Sequence, residues 1–176
     1  MAQRTPESIT QATPIAEADL LLRMEPVVVD AGDSLRTVAE RAVENTGCRV
    51  ITVVDGEERL VGVIPVRVLV NDIFLKIVPE EFLGEILDLE GALKYAEHVG
   101  ARTARDIMLP PVSVRRDDSV RDAFERMHEA KLNGLPITDE GGRVVGYVDQ
   151  LELLLVWVRA TGRDGLLEPH DHDRDA

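Results

Sequence analysis

Residues 134–154 read GLPITDEGGRVVGYVDQLELL, and residues 50–70 read VITVVDGEERLVGVIPVRVLV. Set one above the other, they place Asp55 opposite Asp139 and Gly62 opposite Gly146, 84 positions apart in both cases. Each begins with a short apolar run, crosses an Asp/Gly turn composition and enters a second apolar run, the pattern of a β-hairpin. The strands expected are 50–54 with 60–64 in the first copy and 135–138 with 144–148 in the second. The segments that follow, 66–75 and 150–158, carry apolar residues at spacings suited to a helix.

Working outward, the duplication continues upstream. LLRMEPVVVDAGDSLRTVAERAV from residue 21 matches ARDIMLPPVSVRRDDSVRDAFERM from residue 104, with Met24 opposite Met108 and, after one extra residue, Ser34 opposite Ser119. After Pro26, or Pro110 and Pro111, comes a short β-branched strand. Asp33-Ser34 and Asp118-Ser119 then offer helix N-caps ahead of apolar residues at helical spacing, Leu35, Val38 and Ala42 in one copy and Val120, Ala123 and Met127 in the other. The predicted order is strand, helix, strand, strand, helix, twice over. The fold class is therefore α/β.

Composition bounds the function. The chain has 176 residues, enough to bury roughly 70% of the surface its unfolded form exposes. Hydrophobic residues are 44% of it and aromatic residues only 3%, so the core must be aliphatic. The formal charge of −13 opposes phosphate backbones at long range, which excludes nucleic acid as an expected partner. Cys48 is the single cysteine, so neither an intramolecular disulfide nor a multi-cysteine metal site is available, and a cytoplasmic setting is expected. No apolar run approaches the roughly 20 residues that span a bilayer, so no membrane association is expected.

The duplicated pattern resembles the CBS (cystathionine β-synthase) domain pair, also called a Bateman module, over roughly residues 20–158. The resemblance rests on MEPVVVDAGDSL, VITVVDGEERLVGVI, MLPPVSVRRDDSVRDAFERM and NGLPITDEGGRVVGYVDQLELL. It implies tandem repeats packed by pseudo-two-fold symmetry, clefts that receive adenosine-type ligands such as AMP, ADP, ATP or S-adenosylmethionine, and a homodimer formed through the closing helices. It implies regulation of an unidentified protein partner, without catalysis and with no required cofactor.

The resemblance also marks where ligand contacts would lie. In nucleotide-binding members the last strand runs Gly, two apolar residues, Thr or Ser, two variable residues and Asp. Here the second repeat has Gly146, Tyr147, Val148, Asp149, Gln150, Leu151 and Glu152, and the first has Gly62, Val63, Ile64, Pro65, Val66, Arg67 and Val68. The first repeat thus lacks both the hydroxyl and the carboxylate. In the second, Glu152 has lone pairs to accept from ribose hydroxyls, whereas Asp149 would repel a phosphate by about 4 kcal/mol at about 4 Å and an effective dielectric near 20. Val112, Ser113 and Leu135 are expected to line the base, Pro136 is a further expected ligand contact, and Arg49 and Arg115 would reach phosphates unless surface ion pairs claim them. Two alternatives stand beside this reading: a divalent cation such as magnesium held by Asp149 and Glu152, and a ligand-free dimerisation scaffold in which both carboxylates cap the first turn of the closing helix.

Other residues point to structure. His98 and His128 have no nucleophile nearby in the pattern, and Cys48 precedes a buried-looking strand as a small core residue. His170 and His172 belong to a solvated tail rather than a metal site. The expected organisation is a disordered N-terminal tail at 1–15, a first repeat at 16–75, an inserted helical linker at 76–100, a second repeat at 101–160 and an acidic mobile tail at 161–176. The inserted helix is read from Pro79 with Glu80 and Glu81 in its first turn, and from the spacing of Phe82, Ile86, Leu89 and Leu93.

Overall fold

The computed structural model describes residues 10–19, 24–71 and 103–154. The inserted helix expected within 76–100, with His98, lies outside the described residues, as do 1–9, Trp157 and the tail bearing His170 and His172.

Both repeats form the expected elements. In the first, β1 (Val28–Asp30) pairs in parallel with β2 (Val50–Val54), which pairs antiparallel with β3 (Leu60–Pro65). Helix α2 (Leu35–Glu44) connects β1 to β2, and α3 (Val66–Val70) follows β3; a short α1 (Ile15–Asp19) precedes them. After α4 (Ala104–Ile107), the second repeat places β4 (Val114–Arg115), β5 (Gly134–Thr138) and β6 (Val144–Asp149) in the same order, with α5 (Val120–Ala130) between β4 and β5. A final helix, α6, begins at 150 and is described through 154.

The matched residues have matching work. Ser34 accepts from the Thr37 N–H at 3.2 Å, and Ser119 accepts from the Asp122 N–H at 3.2 Å. Such N-caps contribute about 1 kcal/mol each. At the hairpin turns, Asp55 accepts from the backbone N–H groups of Glu57 and Arg59, and Asp139 from those of Gly141 and Arg143. Each ladder shifts register at the same place, between Val53 and Val54 and between Ile137 and Thr138. The two sheets share one aliphatic core, to which Val29, Val38, Ile51 and Ile64 contribute from one repeat and Ala123, Met127, Ile137 and Val148 from the other. At the hairpins, the Leu60 N–H donates to Gly142 O at 2.9 Å.

Two leading segments dock on the repeat opposite to the one they lead into. Residues 10–15 are not part of a disordered tail: Ile15 is 0% exposed, and its N–H donates to Asp118 O at 2.8 Å. Thr13 O and Gln11 O accept from Val120 and Arg121, two of the N–H groups in the first turn of α5 that no helix supplies internally. Conversely, residues 103–109, at the start of the second repeat, bond to the first. Ala104 and Arg105 donate to Asp33 O and Ala31 O, and Val63 and Leu109 exchange both backbone bonds. Gly62 permits this last approach, since a Cβ there would stand 2.9 Å from Leu109 O. Each repeat is thus completed by the segment that leads into the other.

Candidate functional site

The carboxylates that raised the question of a ligand sit where β6 becomes α6. Asp149 is 1% exposed; its Oδ1 accepts from the Leu151 N–H at 2.8 Å, and its Oδ2 has no hydrogen bond among the described residues. Asp149 is therefore an N-cap of the closing helix. Burial pushes its carboxyl above the usual carboxylate range, opposed by the Leu151 amide and by the Arg49 charge. Glu152 is half-buried one turn on.

That shift has a sign that experiment can check. A carboxyl whose folded value lies above its unfolded value, ~3.9, favours folding when protonated. The contribution is full below the unfolded value and is lost as pH rises through the folded one. Asp149→Asn keeps the cap, because Asn caps as well as Asp, and removes the charge. We expect its urea midpoint to exceed the wild type's at pH 7 and the difference to vanish near pH 4; parallel profiles would refute the assignment.

Around Asp149 lies a small polar cluster within the core. Tyr147 is fully buried, its hydroxyl makes no hydrogen bond among the described residues, and burial drives its ionisation far above the usual phenol range. The Cys48 thiol, raised by burial, donates to Val50 O at 3.2 Å and is a neutral core group, as expected from the sequence. Gly134 leaves the room that Tyr147 needs: a Cβ there would overlap the hydroxyl and stand 2.5 Å from Cζ.

The other expected ligand contacts are divided along β5. Gly134 pairs with Asp149 at one end, and Thr138 with Arg115 at the other, roughly 13 Å away at about 3.3 Å per residue. Arg115 is not brought to Asp149; its guanidinium is paired with Asp117 at 3.2 Å and Glu140 at 3.6 Å. Ser113 Oγ bonds with Thr138 Oγ1 at 3.1 Å, and its carbonyl accepts from Arg126. Val112 is half-buried and Pro136 buried, while Leu135 is 0% exposed and belongs to the core rather than to a cleft wall. No group of three or more His, Cys, Asp or Glu side chains converges as a metal site among the described residues.

Arg49 lies close enough to Asp149 for its charge to act there. It lines a cleft of about 500 Å³ at the β3–α3 junction of the first repeat, together with Arg67 and Lys131. Val66 N–H donates to Arg49 O at 3.0 Å, and Arg67 Nη2 to Lys131 O at 3.3 Å, which ties the second repeat's Lys131 to the first repeat's helix. Arg67 and Lys131 are absent from the sequence expectations. The available signal was the departure from repeat symmetry: 84 positions before Lys131 stands Gly47, and 84 after Arg67 stands Leu151. A second concavity, of about 490 Å³, lies between α5 and α6 and is lined by Val120, Phe124, Leu153 and Leu154.

Two α/β repeats of this order, exchanging their leading segments across one core, define a tandem-repeat module with a cleft at the strand–helix junction of the first repeat and a concavity between α5 and α6. The chain belongs to the CBS domain family: the family's model matches residues 18–74 and 104–158. A CBS domain-containing protein from Thermotoga maritima is 26% identical, with 88% of this chain and 99% of that one covered and a TM-score of 0.68. A CBS domain protein from Pyrobaculum aerophilum, solved with AMP, is 20% identical over 85% of this chain and 100% of that one, with a TM-score of 0.57. A CBS domain pair solved with 5-methylthioadenosine and S-adenosyl-L-methionine is 18% identical over 83% and 96%, with a TM-score of 0.58. No curated protein matches the chain. Among the described residues no helix is long and apolar enough to cross a membrane.

Proposed function

We propose that this protein is a non-catalytic regulatory module that binds an adenosine-type ligand in its second repeat and signals to a protein partner through a change in dimer geometry. The observation that carries the reading is the β6–α6 junction, where Glu152 stands one turn into the closing helix with Asp149 capping its start. Relatives of the same fold solved with AMP, or with S-adenosylmethionine and 5-methylthioadenosine, support the ligand class. Glu152 accepts from the ribose hydroxyls in this reading, and Asp149 serves by positioning the helix. Homodimerisation is supported by apolar exposure on the closing helices: Val70 and Leu154, 84 positions apart in the two repeats, are each 45% exposed. For the ligand to act, it must bind one dimer arrangement more tightly than the other.

Thermal unfolding with AMP, ADP, ATP, S-adenosylmethionine and adenosine, each with and without magnesium, tests this. A ligand that binds only the folded state adds about 2.7 kcal/mol at one hundred times its dissociation constant. At least one is expected to do so, and Glu152→Ala to remove the shift. If none raises the melting temperature, the clefts are empty and the module is an interaction scaffold.

A further inference from the structure

We propose that two copies of this chain pair in antiparallel orientation, the α2 and α3 face of the first repeat in one copy packing against the α5 and α6 face of the second repeat in the other. The proposal rests on the dimer part of the proposed function, specifies its arrangement, and is independent of any ligand. Apolar exposure marks the surface. Among the described residues the large apolar side chains left most open are Val43, Val70, Val145, Leu151 and Leu154, and all but Val145 stand on α2, α3 or α6. The open surface therefore involves helices of both repeats. Charge points to a second copy as the occupant. Arg121 and Glu125 line the concavity between α5 and α6 and pair at 2.7 Å. Arg36 and Glu40 hold the equivalent positions of α2, 85 residues earlier, and pair at 3.9 Å. In a chain of formal charge −13, each face thus offers one cation and one anion, and helices crossing in antiparallel sense set Arg opposite Glu twice.

That charge pattern serves like faces and unlike faces equally; side-chain size separates them. Ala39 of α2 corresponds to Phe124 of α5, and Val70 of α3 to Leu154 of α6. Ala39 is 4% exposed, whereas Phe124 is half-buried and lines the concavity of about 490 Å³ with Val120, Leu153 and Leu154. Pairing like faces sets Phe124 and Leu154 against their own copies in one contact and leaves only alanine and valine for the other. It also sets a concavity against a concavity, which forfeits the contacts that a filled surface makes. Pairing unlike faces gives both contacts one large set and one small set, the arrangement by which facing layers interdigitate. The first repeat then brings its exposed Val43 and Val70 toward the hollow side of the second. A two-fold axis makes the contact twice, so that both faces of both copies are covered and the assembly closes at two.

The test is cross-linking of Glu40→Cys and Glu125→Cys with a short bismaleimide, each variant alone and the two co-expressed under different affinity tags, alongside sedimentation equilibrium of the wild type. Both positions are exposed, so neither substitution disturbs the core, and Cys48 is 1% exposed, with wild type as its control. Position 40 of one copy is expected to meet position 125 of the other. The cross-linked fraction of the co-expressed pair should therefore exceed that of either variant alone at least tenfold. If either variant alone links as well as the pair, like faces meet; the proposal is overturned while the homodimer stands. A dimer in sedimentation with no link in any combination also overturns it, since the contact then lies on another surface. A monomer overturns it together with the dimer part of the proposed function, and the thermal shifts still decide the ligand part.

Discussion

Gly134→Val is expected to destabilise the protein by about 3 kcal/mol, the upper end of the usual cost of overpacking a core. The new Cβ would meet the Tyr147 ring and stand 3.0 Å from Val148 O, and neither a strand backbone nor a ring buried on all sides has room to yield. The internal duplication supplies the control. In the first repeat the equivalent positions are Val50 and Val63, both buried, so that repeat fills with two valines the space that the second fills with a glycine and a tyrosine. The double variant Gly134→Val, Tyr147→Val should recover at least about 1.5 kcal/mol of the loss, a coupling within the range for residues in contact. Denaturant midpoints of the wild type, both single variants and the double variant complete the cycle. Additive effects would mean that Gly134 is required for some reason other than the Tyr147 hydroxyl.

Ile15→Ala is expected to cost 2–4 kcal/mol, as for other large-to-small substitutions at fully buried sites. The size of the effect matters because Ile15 falls in a region whose composition reads as tail. Its side chain belongs to the shared core, and its N–H and that of Ala16 bond to Asp118 O and Arg116 O. Urea unfolding that shows a loss below ~0.5 kcal/mol, the usual range for surface changes, would return the segment to the status of a tail.

The duplicated hairpins, the N-caps Ser34 and Ser119 and the helical faces of α2 and α5 were legible because each is a local pattern, readable within a dozen residues. The docking of Ile15 was not, since its partners come roughly a hundred residues later in the chain. Leu135 was expected at the base from the family resemblance; β5 is buried at every position, and a strand covered on both faces shows no alternation to separate core side chains from cleft ones. Asp149 was legible both as an N-cap and as a ligand contact, and periodicity does not separate the two. Arg49 and Arg67 meet through the β2–β3 ladder, where Val50 pairs with Pro65, and the packing of the repeats adds Lys131 to their cleft.

The exchange of leading segments also orders events in time. At roughly 5–20 residues per second, synthesis delivers the whole first repeat a few seconds before Arg116 and Asp118 exist to receive residues 15 and 16. Its α2 N-terminus and β3 edge likewise wait for residues 103–109. The contacts within the first sheet thus need only residues already made, whereas those that join the repeats are closures of long sequence separation, which carry the larger entropy cost.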